Sequence, residues 1–338
     1  MEGAQKNINM IIDVSGYSYS GKGAVLDILR DFPSLNVHKK EFEFLLIRAT
    51  DGLVDLREAL VENPSEIKAD MALKRFIKLI NTFAAKPTSL SQPSSIFTPP
   101  GQNYSKIFPN FTENSSKFIT KISTTSEEYW PFPSLYKSNI DSLLEKVNKF
   151  FFSYNTIKHI SYSTQKDFDR SMNLYLRNVL FSGITKEKQK IVTGNMLEVY
   201  NPPKFFRAIQ PCKLVIVDRD PRAIYCSIPG NLNRLNDIVH AQKFIEKFKY
   251  QRSNFFLQNL IHDNILIVRF EDIFIDFHAF ISKLSVFIDE PIPSSFSNFS
   301  FEKSIKNIEP WKNYKELRAI KLIEDELLDF SQNWIEQA

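Results

Sequence analysis

Apolar residues in this chain fall into two patterns, short unbroken runs and stripes at helical spacing. Ile8, Met10, Ile11, Ile12 and Val14 form a run that reads as a buried strand flanked by helices. Val25, Ile28, Leu29 and Phe32 then fall at i, i+3, i+4 and i+7, a helical stripe that stops at Asp31-Phe32-Pro33. Val37–Ile47 alternates apolar and charged residues, and a helical region follows from Val54 to about Phe83. Helical patterning returns at Ile140–Phe152 and Phe168–Phe181. Strands are predicted at Lys190–Thr193, Lys213–Asp218 and Ile265–Arg269. Helices are predicted from about Leu235 to Leu260, near Phe277–Ile288 and over Tyr314–Trp334.

Strands alternating with helices predict an α/β fold with a central, mainly parallel sheet and helices on both faces, a three-layer sandwich. The segment Lys86–Tyr136 breaks the pattern, being crowded with Ser, Thr, Asn and Pro although Phe and Tyr recur in it. Proline and short polar residues oppose regular elements, so it reads as a long loop or subdomain inserted at about 86–136 in a single domain spanning 1–338. There are no internal repeats.

Composition narrows the function classes. With 338 residues, 43% hydrophobic, the chain can bury a full core. A net charge of +4 argues against a general nucleic-acid coat and allows a local basic pocket. Cys212 and Cys226 form neither a disulfide framework nor a metal pattern, and the five histidines lack zinc-ligand spacing. No apolar run approaches the roughly 20 residues of a bilayer span. Met1–Asn9 is polar, without the apolar core of a signal peptide, so the expectation is a soluble, cytoplasmic protein.

The candidate chemistry begins at Gly16-Tyr17-Ser18-Tyr19-Ser20-Gly21-Lys22-Gly23, which follows the first strand and opens the first helix. It has the G-x-x-x-x-G-K spacing of a phosphate-binding loop, in the strand-loop-helix context such a loop needs. A helix N-terminus offers unpaired N–H groups and the positive end of the macrodipole to an anion. Gly21 and Gly23 allow close backbone approach, and Lys22 adds a mobile charge. Gly23 stands where NTPases place the Ser or Thr that ligates magnesium, so the loop suits a phosphorylated ligand handled without the metal. The ordinary alternative is a strand-to-helix turn with a surface lysine.

A second anchor follows the strand Lys213–Asp218. Asp220 is placed to cap a helix whose first residue is Pro221. Arg219 then sits at the carboxyl end of a strand, where ligands of open α/β sheets collect. Ser227 comes eight residues later, and an arginine fork with a hydroxyl suits a second phosphate. Taken alone, the pair also reads as a solvated arginine beside an N-cap.

Together these residues resemble a family. Ser18-Tyr19-Ser20-Gly21-Lys22-Gly23 is similar to the 5′-phosphosulfate loop of sulfotransferases that use 3′-phosphoadenosine-5′-phosphosulfate (PAPS). Val217–Ser227 resembles their 3′-phosphate motif, in which an arginine and a serine eight residues on hold that phosphate. Val268–Ile273 is similar to a structural strand-end segment, and Trp311-Lys312, preceded by Lys303 and Lys306, to the C-terminal loop that closes over the nucleotide. Asn307-Ile308-Glu309-Pro310 replaces the glycine-containing stretch usual there. The resemblance implies a P-loop-type sulfotransferase fold of the polysaccharide or carbohydrate branch. It implies that Ser18, Ser20, Gly21, Lys22, Gly23 and Ala24 hold the 5′ side of PAPS. It assigns Arg219 and Ser227 to the 3′-phosphate, and Lys306 and Trp311 to the closing loop. The implied product is 3′,5′-ADP, no metal is required, and the implied acceptor is a hydroxyl or amine of a glycan or similar molecule.

Direct in-line transfer needs a base for the acceptor proton. In the carbohydrate- and tyrosine-directed branches a glutamate after the loop helix serves. Here Lys39-Lys40-Glu41-Phe42-Glu43 offers Glu41 and Glu43, two apart and on one side of a strand. The run from Glu43 to Leu53 resembles bacterial polysaccharide-type sequences, which favours Glu43. The alternative is a solvated acidic face paired with Lys39 and Lys40. Lys22 would stabilise charge on the leaving phosphate oxygen. His38 and Asn195 are weaker candidates, and Cys226 has no base beside it. Two other classes stay open, a P-loop kinase that would use Asp218 as its acidic partner, and a nucleotide-binding protein without catalysis.

Overall fold

A computed structural model describes residues 9–38, 43–86, 101–128, 156–184, 190–206, 209–228, 237–256 and 263–336. Packing divides the chain into two units, Met1–Leu45 with Ile184–Ala338, and Leu46–Gly183. The described strands are β1 Met10–Gly16, β2 Leu35–Val37, β3 Thr124–Glu128, β4 Thr156–Ile160, β5 Lys190–Gly194, β6 Cys212–Asp218 and β7 Ile265–Arg269. The longer helices include α1 Lys22–Leu29, α2 Glu66–Ala84, α3 Phe111–Ile122 and α4 Gln165–Leu180. In the last third of the chain stand α5 Pro221–Ser227, α6 Asp237–Phe256, α7 Phe277–Ile288 and α8 Leu317–Glu336.

The first unit is built on a five-stranded sheet in the order β2-β5-β1-β6-β7, with every neighbouring pair parallel. Ile12, Val14, Val215, Val217 and Val268 pack with Val25, Ile28 and Leu29 of α1 and Phe280, Ile281 and Leu284 of α7. A second apolar cluster joins Tyr225 of α5, Phe248 of α6 and Ile323 of α8, and α8 also packs on β7. Parallel strands buried by helices carry continuous Val/Ile runs, which is why these were readable from sequence.

This order has a direct consequence. All five strands end on one edge, and β1 stands between β5 and β6. The segments that follow Gly16, Gly194, Asp218 and Arg269 therefore emerge side by side, at the edge where ligands of open α/β sheets bind.

The second unit is mainly helical around an aromatic core. Ser65 and Thr164 cap α2 and α4, their side chains accepting from the N–H groups of Lys68 and Asp167. Phe118 stacks on Tyr175 at 4.8 Å, and Tyr104 meets Phe111 edge-on at 5.2 Å. β3 and β4 form an antiparallel pair. Within 86–136, residues 101–128 carry the short helix Tyr104–Ile107, α3 and β3. The apolar positions Phe111, Phe118 and Ile122 give α3 a buried face, and Ser115 joins them by bonding Tyr175 at 2.7 Å. Residues 87–100 and 129–136, and the helix expected at Ile140–Phe152, lie outside the described residues. Among the described residues, no helix is long and apolar enough to cross a membrane.

Candidate active site

β1 delivers its last residue, Gly16, into a tight loop. A Cβ there would stand 2.3 Å from Ser20 Oγ and 2.6 Å from the Val217 carbonyl, so only glycine lets the loop run beside β6. Tyr19 and Gly21 take positive φ values of 63° and 89°. At Gly21 a Cβ would also meet the Phe270 ring at 2.4 Å. Ser20 N–H closes the turn on the Tyr17 carbonyl at 3.1 Å, and Ala24 N–H donates to Gly21 at 3.0 Å. Because α1 begins at Lys22, the N–H groups of Lys22 and Gly23 precede any helical acceptor and the macrodipole presents its positive end. Ser18, Ser20, Gly21, Lys22, Gly23 and Ala24 thus all stand in one turn around a helix N-terminus. Ser20 Oγ is buried with no hydrogen-bond partner among the described residues.

Strand β6 delivers Arg219 to the same edge. Its Nη1 donates to the Tyr19 carbonyl at 3.0 Å and to Ser227 Oγ at 3.1 Å, and its Nη2 donates to the Asn307 carbonyl. Its guanidinium lies 5.1 Å from the centre of the Phe270 ring. Arg219 Nε is buried without a partner among the described residues. Burial lowers the Arg219 pKa, and Glu271 and Asp220 act against that shift. Asp220 caps α5 as the sequence predicts, accepting from Arg222 N–H at 2.8 Å, with Pro221 at the first turn. Its own N–H donates to Glu271 Oε1 at 3.0 Å. Glu271, whose pKa burial raises, so ties the end of β7 to the start of α5.

The third part of the site comes from β5. Lys22 Nζ donates to Glu43 Oε1 at 2.8 Å, and Asn195 Nδ2 donates to the same oxygen at 2.5 Å. Asn195 Oδ1 accepts from Gly16 N–H at 3.3 Å. Glu43 is therefore held between the loop lysine and an amide that also grips the loop. β2 ends at Val37, so Glu43 reaches this position from a non-strand segment, and the expectation of a strand carrying both glutamates fails at Glu43. The edge pairing stops after His38 N–H donates to the Val192 carbonyl at 3.1 Å. Glu41, with Lys39 and Lys40, lies outside the described residues.

Sequence reasoning passed over what fixes Asn195. Asp13, fully buried in β1, accepts from Met196 N–H at 3.0 Å, Leu197 N–H at 2.9 Å and Thr193 Oγ1 at 2.8 Å. It also accepts from Ser15 Oγ at 2.6 Å. Burial raises its pKa against these four hydrogen bonds. The turn after β5 is thereby clamped, with Asn195 at φ 48°. One signal was present: an acidic residue inside an otherwise apolar strand. Arg252 was also missed. It is fully buried and forked onto both carboxylate oxygens of Asp218, with its guanidinium 3.3 Å from the Phe248 ring centre and 4.1 Å from that of Tyr17.

The remaining candidates fall around this core. Lys306 is exposed just after the short helix Phe301–Ile305, one residue before the carbonyl that Arg219 engages. Trp311 lies under the Arg222 guanidinium, 4.3 Å from its ring centre, and packs against the α5–α6–α8 cluster. His38 is largely buried, and desolvation pushes its pKa down to about 4. Cys226 is buried in the same cluster as Tyr225.

No family model matches the chain, and no curated protein does. Solved structures do resemble it. A sulfotransferase domain from the Synechococcus PCC 7002 olefin synthase is 12% identical at a TM-score of 0.42, covering 96% of this chain and 97% of that one. A sulfotransferase from Mycobacterium tuberculosis H37Rv is 10% identical at a TM-score of 0.40, covering 95% of this chain and 77% of the other. A retinol dehydratase in complex with retinol and PAP is 13% identical at a TM-score of 0.35, covering 95% and 81%.

Proposed function

We propose that this chain is a PAPS-dependent sulfotransferase, moving a sulfuryl group by direct in-line transfer to a hydroxyl or amine of a glycan or similar acceptor. The observation that carries the reading is the convergence of two anion anchors. The loop at Gly16–Ala24 and the Arg219–Ser227 pair meet through the Arg219 bond to the Tyr19 carbonyl. A ligand with two separated phosphate groups fits that layout, and a ligand with one phosphate chain leaves one anchor unused.

The residues suit such a nucleotide. Ser20 Oγ and Arg219 Nε are buried polar atoms without partners among the described residues, and Gly16 and Gly21 let the loop pack closely against β6 and Phe270. Lys22, Ser20 and the first turn of α1 would hold the 5′ side, and Arg219 with Ser227 the 3′-phosphate. Bound there, PAPS supplies an activated sulfuryl group on a phosphate leaving group.

The chain's own part is positional and electrostatic. Lys22 places a cation at the mouth of the loop, where negative charge grows as the leaving oxygen departs. Glu43 accepts the acceptor proton at Oε1 or Oε2, and Asn195 orients the carboxylate for it. Lys22 also bonds Glu43, so drawing the ammonium toward a phosphate leaves Oε1 held by Asn195 and removes a positive charge from the base. The kinase alternative needs Asp218 free to serve a metal. That carboxylate is instead buried and forked by Arg252, which disfavours the role.

Loss of labelled sulfate from PAPS over a glycan panel tests this reading. Glu43→Gln should cut turnover by roughly 100-fold or more with nucleotide binding retained, since general bases contribute typically 10²–10⁴-fold. Equal turnover in the two proteins would remove Glu43 as the base.

A further inference from the structure

Tyr17, Ser18 and Tyr19 of the loop share a cavity of about 350 Å³ with α5 and α6. That volume is at the small end of ligand-binding cavities, which run roughly 300–1,000 Å³. Its wall is aromatic. Tyr225 and Phe248 are 1% and 2% exposed, and the Phe244 ring meets Tyr225 edge-on at 5.3 Å. Helix α6 turns one stripe toward it, His240, Lys243, Phe244, Lys247, Phe248 and Gln251, at spacings of three and four. Lys243 and Lys247 are exposed, and among the described residues neither has an ion-pair partner. The buried Arg252 beneath is already engaged by Asp218.

The exposed Tyr19 ring and the half-buried Phe244 ring, beside the ammonium groups of Lys243 and Lys247, suit a flat or chair-shaped ring bearing negative charge. The rings take its apolar face, and the lysines take a carboxylate or sulfate. We propose that this cavity seats the acceptor and selects one whose ring carries a carboxylate or sulfate. The inference rests on the sulfuryl-transfer reading and deepens it. An acceptor ring held there lies against Tyr17, Ser18 and Tyr19 of the loop that would carry the sulfuryl donor, and its reacting hydroxyl extends out of the cavity toward Glu43. Two sources share the chemistry, an acidic sugar and an acidic phenol, and the test separates them.

Matched probes give the experiment. Protein saturated with 3′,5′-ADP is titrated by NMR with a glucuronate-containing disaccharide and its neutral glucose counterpart. A second pair is 4-hydroxyphenylacetate and 4-hydroxyphenylacetamide. The inference predicts that the anionic member of one pair, identifying the source, binds about tenfold tighter than its neutral partner. The double variant Lys243→Glu/Lys247→Glu should abolish that preference, leaving 3′,5′-ADP affinity and the thermal midpoint unchanged. Exposed charge pairs each contribute modestly, so two reversals are needed for an effect of roughly this size. An equal affinity within both pairs, or a preference that survives the double variant, overturns the inference. So does displacement of the anionic probe by 3′,5′-ADP, which would make the cavity part of the nucleotide site. Wild-type protein that binds no 3′,5′-ADP overturns the sulfuryl-transfer reading itself, a result distinct from bound 3′,5′-ADP without anion preference.

Discussion

At Arg219 one guanidinium bonds two backbone carbonyls and the Ser227 hydroxyl, and keeps a buried Nε in reserve. Hydrogen bonds to charged groups contribute about 1.5–3 kcal/mol. Arg219→Ala should therefore weaken 3′,5′-ADP binding by roughly 10- to 150-fold in calorimetry. Arg219→Lys keeps the charge but not the fork and should fall between. Unchanged affinity in Arg219→Ala would exclude it from the nucleotide site. His38 makes a different prediction. Its folded pKa is about 4 against an ordinary value of 6.5. Between those values the unfolded chain binds a proton that the folded chain does not, so stability rises with pH across the window. Acidification from about pH 6.5 to 4 should destabilise the fold by an amount of order 3 kcal/mol from this residue alone. Urea midpoints for His38→Gln should depend less on pH there; slopes identical to wild type would contradict the assignment.

At the scale of the element, the loop between β1 and α1 is the most constrained piece. Gly21 combines a φ of 89° with a Cβ position 2.4 Å from Phe270, a core ring of the sheet. Gly21→Ala should lower the thermal midpoint, with backbone strain of order 1–3 kcal/mol added to the clash, and should abolish 3′,5′-ADP binding. Wild-type melting and affinity together would refute this reading of the loop. Legibility in the sequence followed burial. β7 and α7 were read at their observed ends because the apolar pattern starts and stops with the element. β6 carries an uninterrupted run from Leu214 to Val217. The short edge strand β2 offers only three residues, too few for a period, and Glu43 was consequently assigned to a strand that had already ended. α3 hid behind Thr, Asn and Ser, because its apolar face needs only Phe111, Phe118 and Ile122.

For the whole molecule, the strand order does what no single motif can. Placing β1 between β5 and β6 gathers Lys22, Asn195 and Arg219 on one edge from positions far apart in sequence. The loop and the Arg219–Ser227 pair were legible because each is contiguous and has a characteristic spacing. The Asp13 clamp on Met196 and Leu197 was not, since its partners lie 183 and 184 residues away. Arg252 gave no sequence signal, because only the fold reveals that a helix turns it inward onto Asp218. The central claim is that two anion anchors on this edge receive a bisphosphorylated adenosine without magnesium. Calorimetry with 3′,5′-ADP in the presence of EDTA, set against ATP with magnesium, tests it most directly. The account predicts 3′,5′-ADP binding that EDTA leaves intact and weaker binding of ATP–magnesium. Tight, magnesium-dependent ATP binding with none for 3′,5′-ADP would contradict it.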